Sequence, residues 1–82
     1  MRVVTLYGRP ECHLCDEARE GLLELRRRGA DSELVEVDIE GDDELHARLL
    51  ESIPVVEVDG RRVSELFLDP DAVLASLDTL SE

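Results

Sequence analysis

Tryptophan and lysine are missing from this chain, and tyrosine and phenylalanine occur once each. So few rings leave little for unpaired bases to stack on, which argues against single-stranded nucleic-acid reading. Without lysine there is no Schiff-base chemistry and no phosphate-binding P-loop. All nine basic residues are arginine, which reads as a genomic bias and not as a function. Positive charge is scarce as well: nine basic residues against 21 acidic ones give a formal net charge of −12. A phosphate backbone or an anionic membrane surface would be repelled, so neither nucleic acid nor membrane is an expected partner. Solubility is the plainest use of the acidity. Long apolar runs are absent too. "MRVVTLYGRP" lacks the stretch of a signal peptide or a membrane span, so a cytoplasmic, reducing setting is expected. A structural disulfide persists poorly in that setting.

What is present is an aliphatic chain of 82 residues, read as a single domain from 1 to 82 with no repeat or linker, and as a monomer. A chain this short buries only roughly 60–65% of its unfolded surface, so its core must be economical. "RVVTLY", residues 2 to 7, is a short apolar run suited to a strand buried on both faces. Gly8 and Pro10 break it, and a helical period follows through Leu14, Ala18, Leu22 and Leu25. Arg26 to Arg28 favour the negative end of that helix, and Gly29 is its expected C-cap.

"ELVEVDIE" alternates, with Val35, Val37 and Ile39 on one face of a second strand and Glu36, Asp38 and Glu40 on the solvent side. Strand, helix and strand over this length predict a parallel crossover unit. Asp42 offers an N-cap to a short helix carrying Leu45 and Leu49. "PVVEV" and "RRVS" flank Asp59-Gly60, a two-residue hairpin signal. Asp69 and Pro70 then open a last helix with Val73, Leu77 and Leu80 on its apolar stripe, and Phe67 is expected to plug the core beneath it. The order is βαβαββα: an α/β fold with a four-stranded mixed sheet and packed helices.

The only two cysteines, Cys12 and Cys15, stand in "YGRPECHLCDEARE" at the first strand-to-helix junction. As a staple, a four-residue loop contributes roughly 2 kcal/mol, a poor return for a structural bridge. As a zinc site, the pair is half of a ribbon whose second half is missing. His13 shares the tight turn with both thiols, and His46 is expected to face solvent among charged residues. As a reactive dithiol, the pair has a mechanism. The free N–H groups and positive end of a helix favour a thiolate on the first cysteine. A thiol of pKa about 8.5 is about 3% ionised at pH 7, one lowered to about 7 is half ionised, and a low-pKa sulfur also leaves a mixed disulfide readily. Arg9 and His13 would help this, while Glu11, Asp16 and Glu17 oppose it. Cys12, at the exposed helix start, is the expected nucleophile, and Cys15, facing the core stripe, the resolving thiol.

The element order, the Cys-x-x-Cys after the first strand, and Ile53-Pro54 before the hairpin together resemble the thioredoxin fold. The short length and the string "YGRPECHLCDEA" are similar to its glutaredoxin-like branch. That resemblance implies a thiol–disulfide oxidoreductase acting on protein or low-molecular-weight disulfides, with a reductase or glutathione as electron donor and no required cofactor or metal. It implies a cis bond at Pro54, packed beside the dithiol, with Ile53 presenting backbone N–H and C=O to an extended substrate. Arg9 would stand in for the basic residue that usually precedes the motif, and His13 would border the substrate. Some features depart from the family. His13 and Leu14 replace the Pro-Tyr of ordinary glutaredoxins between the cysteines. "SELFLD" replaces the Gly-Gly turn and paired aspartates that hold glutathione, and Glu65 would repel its carboxylates. A buried acid and lysine pair of the thioredoxin kind has no counterpart here. Two other readings use the same residues: a redox-sensing binding module without turnover, and a zinc-binding protein.

Overall fold

Seven residues, Arg2–Gly8, form β1, the strand on which the rest of the sheet is assembled. The computed structural model describes residues 2–30 and 32–79. β1 leads into α1 (His13–Arg27), β2 (Ser32–Asp38), a 3-10 turn (Ile39–Gly41), α2 (Asp43–Leu49), the hairpin β3 (Val55–Val58) and β4 (Arg61–Glu65), and α3 (Pro70–Thr79). The strands lie in the order β2-β1-β3-β4. β1 is parallel to β2 and antiparallel to β3, and β4 is antiparallel to β3. This is the expected βαβαββα arrangement.

Local chemistry sets the boundaries. α1 ends in a Schellman motif: Gly29 has φ 96°, its N–H donates to Arg26 O at 3.0 Å, and Ala30 N–H donates to Leu25 O at 3.1 Å. Asp59 and Gly60 both have positive φ, 51° and 85°, as a type I′ hairpin turn requires. Asp59 also ties the hairpin to β1. Its Oδ1 accepts the Val3 N–H at 2.9 Å, and its own N–H donates to Val3 O at 2.8 Å. Asp42 Oδ1 caps α2 by accepting from Glu44 N at 2.9 Å and Leu45 N at 3.2 Å. Asp69 Oδ1 caps α3 through Ala72 N at 3.1 Å. Leu80, predicted on the α3 stripe, lies outside the described residues.

Two apolar clusters flank the sheet. Val4 and Leu6 of β1 and Val56 and Val58 of β3 meet Ala18, Leu22 and Leu25 of α1 and Val73 of α3. On the other side Ile39, Leu49, Ile53 and Val55 pack with Tyr7, Leu45 and both cysteines. The second face is less complete than the first, and here two expectations are corrected. β1 is not buried on both faces: only Val4 and Leu6 are fully buried, and their neighbours are half-buried. Val35 of β2 is exposed, although Ile39 beyond the strand is completely buried. Both follow from α2, whose seven residues are too short to cover the whole face.

Phe67 is also corrected. Its surface is 68% exposed, and Leu68 packs against the first cluster in its place. The cause is a notch at Gly21 of α1, where a Cβ would stand only 2.4 Å from Leu68 Cδ2. Leu68 fills that notch, and the chain around it turns Leu66 and Phe67 outward.

Candidate active site: a dithiol at a helix mouth

Gly8 closes β1, and Arg9 to Glu11 carry the chain to the start of α1 in one tight turn, Glu11 adopting φ 59°. Cys12 follows in extended backbone as the N-cap residue. Its Sγ accepts the Cys15 N–H at 3.2 Å, and its carbonyl accepts the Asp16 N–H at 3.0 Å. A sulfur thus fills the place that Ser or Asp usually takes at a helix start, where first-turn N–H groups lack partners. The two cysteines are joined as a disulfide, with Cα atoms 5.2 Å apart. Cys12 is half-buried and Cys15 is 3% exposed, so an incoming reagent meets Cys12 first.

Close packing holds the second sulfur. A Cβ on Gly8 would lie 3.0 Å from Cys15 Sγ and 3.1 Å from Cys15 Cβ, so a side chain there would crowd Cys15. Sequence pattern alone gives Gly8 only as a break between strand and helix. Beside this contact, a cleft of about 330 Å³ is lined by Arg9, Pro10, Arg19 and Glu36, with Cys15 in its wall. Arg19 Nε meets Glu36 Oε1 at 2.5 Å and Arg19 Nη2 meets Asp16 Oδ1 at 3.3 Å. The Glu36 bond raises the Arg19 guanidinium above its already high ordinary pKa. Glu36 is exposed, but it lies beside Leu6 on the helix-covered face and is not simply the outer edge of a strand.

The other predicted residues take distinct places. Arg9 is exposed and lines the cleft. His13 points into solvent, its side chain 85% exposed, with Nε2 3.3 Å from Glu17 Oε1. His46 is half-buried, not solvent-facing. The Ile53–Pro54 peptide is cis and both residues are buried. Ile53 shares the second cluster with Cys15 and Cys12, but its N–H already donates to Leu49 O at 3.1 Å. Pairing a substrate backbone to that N–H therefore requires opening the last turn after α2. Tyr7, half-buried at the end of β1, donates from its hydroxyl to Glu57 Oε1 at 3.1 Å; burial and this bond raise its pKa. Among the described residues no group of three or more His, Cys, Asp or Glu is set to hold a metal. No described helix is long and apolar enough to cross a membrane.

A mixed sheet with β1 at its heart, a dithiol at the mouth of α1, and a cis-proline in the loop before β3 define a thioredoxin-fold protein with a redox-capable cysteine pair. Residues 3–78 match the family described as Glutaredoxin-like domain (DUF836), and the chain belongs to that family. A structural-genomics target protein from X. campestris is 32% identical, with TM-score 0.74, over 93% of this chain and 96% of that one. A protein from Nitrosomonas europaea is 30% identical, with TM-score 0.79, over 92% of this chain and 89% of that one. A mutant thioredoxin from Halobacterium salinarum shares the fold at 19% identity and TM-score 0.69, over 99% of this chain and 75% of that one. No curated protein matches the chain.

Proposed function

We propose that this protein is a thiol–disulfide oxidoreductase. In its reduced form the Cys12 thiolate attacks one sulfur of a substrate disulfide. A Cys12–substrate bond forms, the substrate S–S bond breaks, and the departing sulfur leaves as a thiolate that takes up a proton. Cys15 then loses its proton and attacks Cys12 Sγ. The Cys12–Cys15 bond forms, the mixed disulfide breaks, and the second substrate sulfur leaves. Two electrons pass from the dithiol to the substrate, and a reductase or glutathione must return them. The substrates are protein or low-molecular-weight disulfides, and a reducing, cytoplasmic compartment suits the cycle.

The observation that carries this reading is the cap: Cys12 Sγ accepts the Cys15 N–H at 3.2 Å, while Cys15 lies buried within bonding reach. An N–H bond and a helix dipole aimed at one sulfur stabilise its anion more than its thiol. The more accessible sulfur attacks and the sheltered one waits. The departures from ordinary glutaredoxins at "SELFLD" favour disulfides over glutathione itself as the bound species, since Glu65 is exposed there.

The test is turnover of a disulfide substrate by two variants. Cys12→Ser should abolish it. Cys15→Ser should stall as a mixed disulfide visible by mass spectrometry. Equal tolerance of both substitutions removes the proposal, and reversible oxidation without any turnover makes the pair a sensor.

A further inference from the structure

The single phenylalanine of this chain is on display. Phe67 is 68% exposed and its neighbour Leu66 44%, on the turn that follows β4. Leu66 sits at φ 67°, a left-handed conformation that costs a leucine energy. Two bonds hold it there: Leu66 N–H donates to Ser52 O at 2.9 Å, and Phe67 N–H donates to Glu65 O at 2.7 Å. A strained turn that turns a large ring into water is not explained by the core, because Leu68 already fills the notch at Gly21.

Position suggests the use. The Ser52 bond fastens the turn to the segment leading into Ile53-Pro54. In the sheet, Tyr7 pairs with Val55 and Val55 with Glu65, so the turn lies two strands from the end of β1, at the same end of the sheet as the dithiol. Two strand spacings are about 10 Å, the reach of about three residues of extended chain. Exposed Glu65, Asp69 and Asp71 flank the apolar pair along the chain, exposed Glu51 precedes the Ser52 to which Leu66 is bonded, and Arg62 lies 3.8 Å from Glu65.

We propose that Leu66 and Phe67 form a docking point for a polypeptide disulfide substrate. Its apolar side chain, about three residues from the reacting cysteine, packs on the ring, and arginine or lysine beside it faces the acidic rim. The acidic surface of this chain favours the same basic partner. The proposal rests on the oxidoreductase reading and narrows its substrate class to polypeptides over small disulfides.

The experiment is single turnover of the pre-reduced protein, which needs no electron donor. Three probes are compared: a disulfide-linked peptide with arginines and a leucine three residues to each side of its cysteine, the same peptide with serine for leucine, and hydroxyethyl disulfide. The leucine peptide should react about ten-fold faster than the serine peptide, a hot-spot contact of about 1.4 kcal/mol. Phe67→Ser should erase that advantage while leaving hydroxyethyl disulfide unchanged, which also shows that the variant is folded. Raising salt should slow both arginine peptides and not the neutral probe. Equal rates for the two peptides, or an equal loss on all three probes in Phe67→Ser, overturn the docking point and leave the oxidoreductase standing. Reaction with none of the probes overturns both.

Discussion

Reducing the Cys12–Cys15 bond and unfolding both redox forms in urea, at pH 5 and at pH 8, separates a reactive pair from a structural staple. The bond closes a loop of only four residues, since the cysteines are three apart. Loop-closure entropy for that length is roughly 2 kcal/mol. Fully burying one leucine is worth about as much, and thirteen hydrophobic side chains are buried among the described residues. The reduced protein should therefore stay folded, less stable by about 2 kcal/mol at pH 5, or about 8–16 °C in Tm for a domain of this size. The gap should then shrink with pH. On the proposed mechanism the Cys15 N–H that meets Cys12 Sγ in the disulfide should favour a thiolate there after reduction, which would hold the folded pKa below the unfolded value of about 8.5. A depressed pKa contributes stability that is complete above the unfolded value and is lost as pH falls through the folded one. That thiolate should therefore favour the reduced form more at pH 8 than at pH 5. Burial of Cys15 opposes this only near and above about pH 8.5, where an unfolded thiol ionises. A reduced chain without cooperative unfolding, or a gap above about 5 kcal/mol, would make the bond a staple. A gap that does not change between pH 5 and 8 would remove the thiolate.

Two further outcomes follow from the surroundings of the site. Tyr7 is the one tyrosine and tryptophan is absent, so near-ultraviolet titration reads a single phenol. Burial and the bond to Glu57 should place its midpoint above the ordinary tyrosine value. Because the folded pKa is raised, the stability Tyr7 adds is complete below the unfolded value of about 10 and is lost as pH rises through the folded one. A midpoint at or below the ordinary value would contradict the Glu57 bond. Asp42→Ala should cost about 1 kcal/mol, or about 4–8 °C in Tm, because two N–H groups of α2 lose their acceptor. Asp42→Asn should keep most of that stability, and equal losses in both variants would refute the cap.

Much of this architecture is legible in the residues because it is local. Period, caps and turn chemistry at Asp42, Asp59-Gly60 and Asp69-Pro70 each specify their element within a few positions. Cys12 and Cys15 could be placed at a helix mouth for the same reason. What is not legible depends on distant neighbours. Nothing near Phe67 tells it from Leu68; the choice is made by the missing side chain at Gly21. Glu36 alternates like a solvent residue, yet Arg19 of α1 reaches it across the sheet face. Gly8 is plain punctuation until Cys15 is packed against it. Ile53 has the right place beside the dithiol, but its N–H is already bonded at the end of α2. The fate of a local backbone group was set by a helix whose length the pattern did not specify.

The most direct measurement is alkylation of the fully reduced protein by iodoacetamide across pH, with each labelled cysteine located by mass spectrometry. Cys12 should be modified first, with a rate that rises through a midpoint below the ordinary thiol value of about 8.5, while Cys15 stays protected. Labelling of Cys15 as fast as Cys12, or a Cys12 midpoint at or above that value, would contradict a helix mouth that holds its sulfur as an anion.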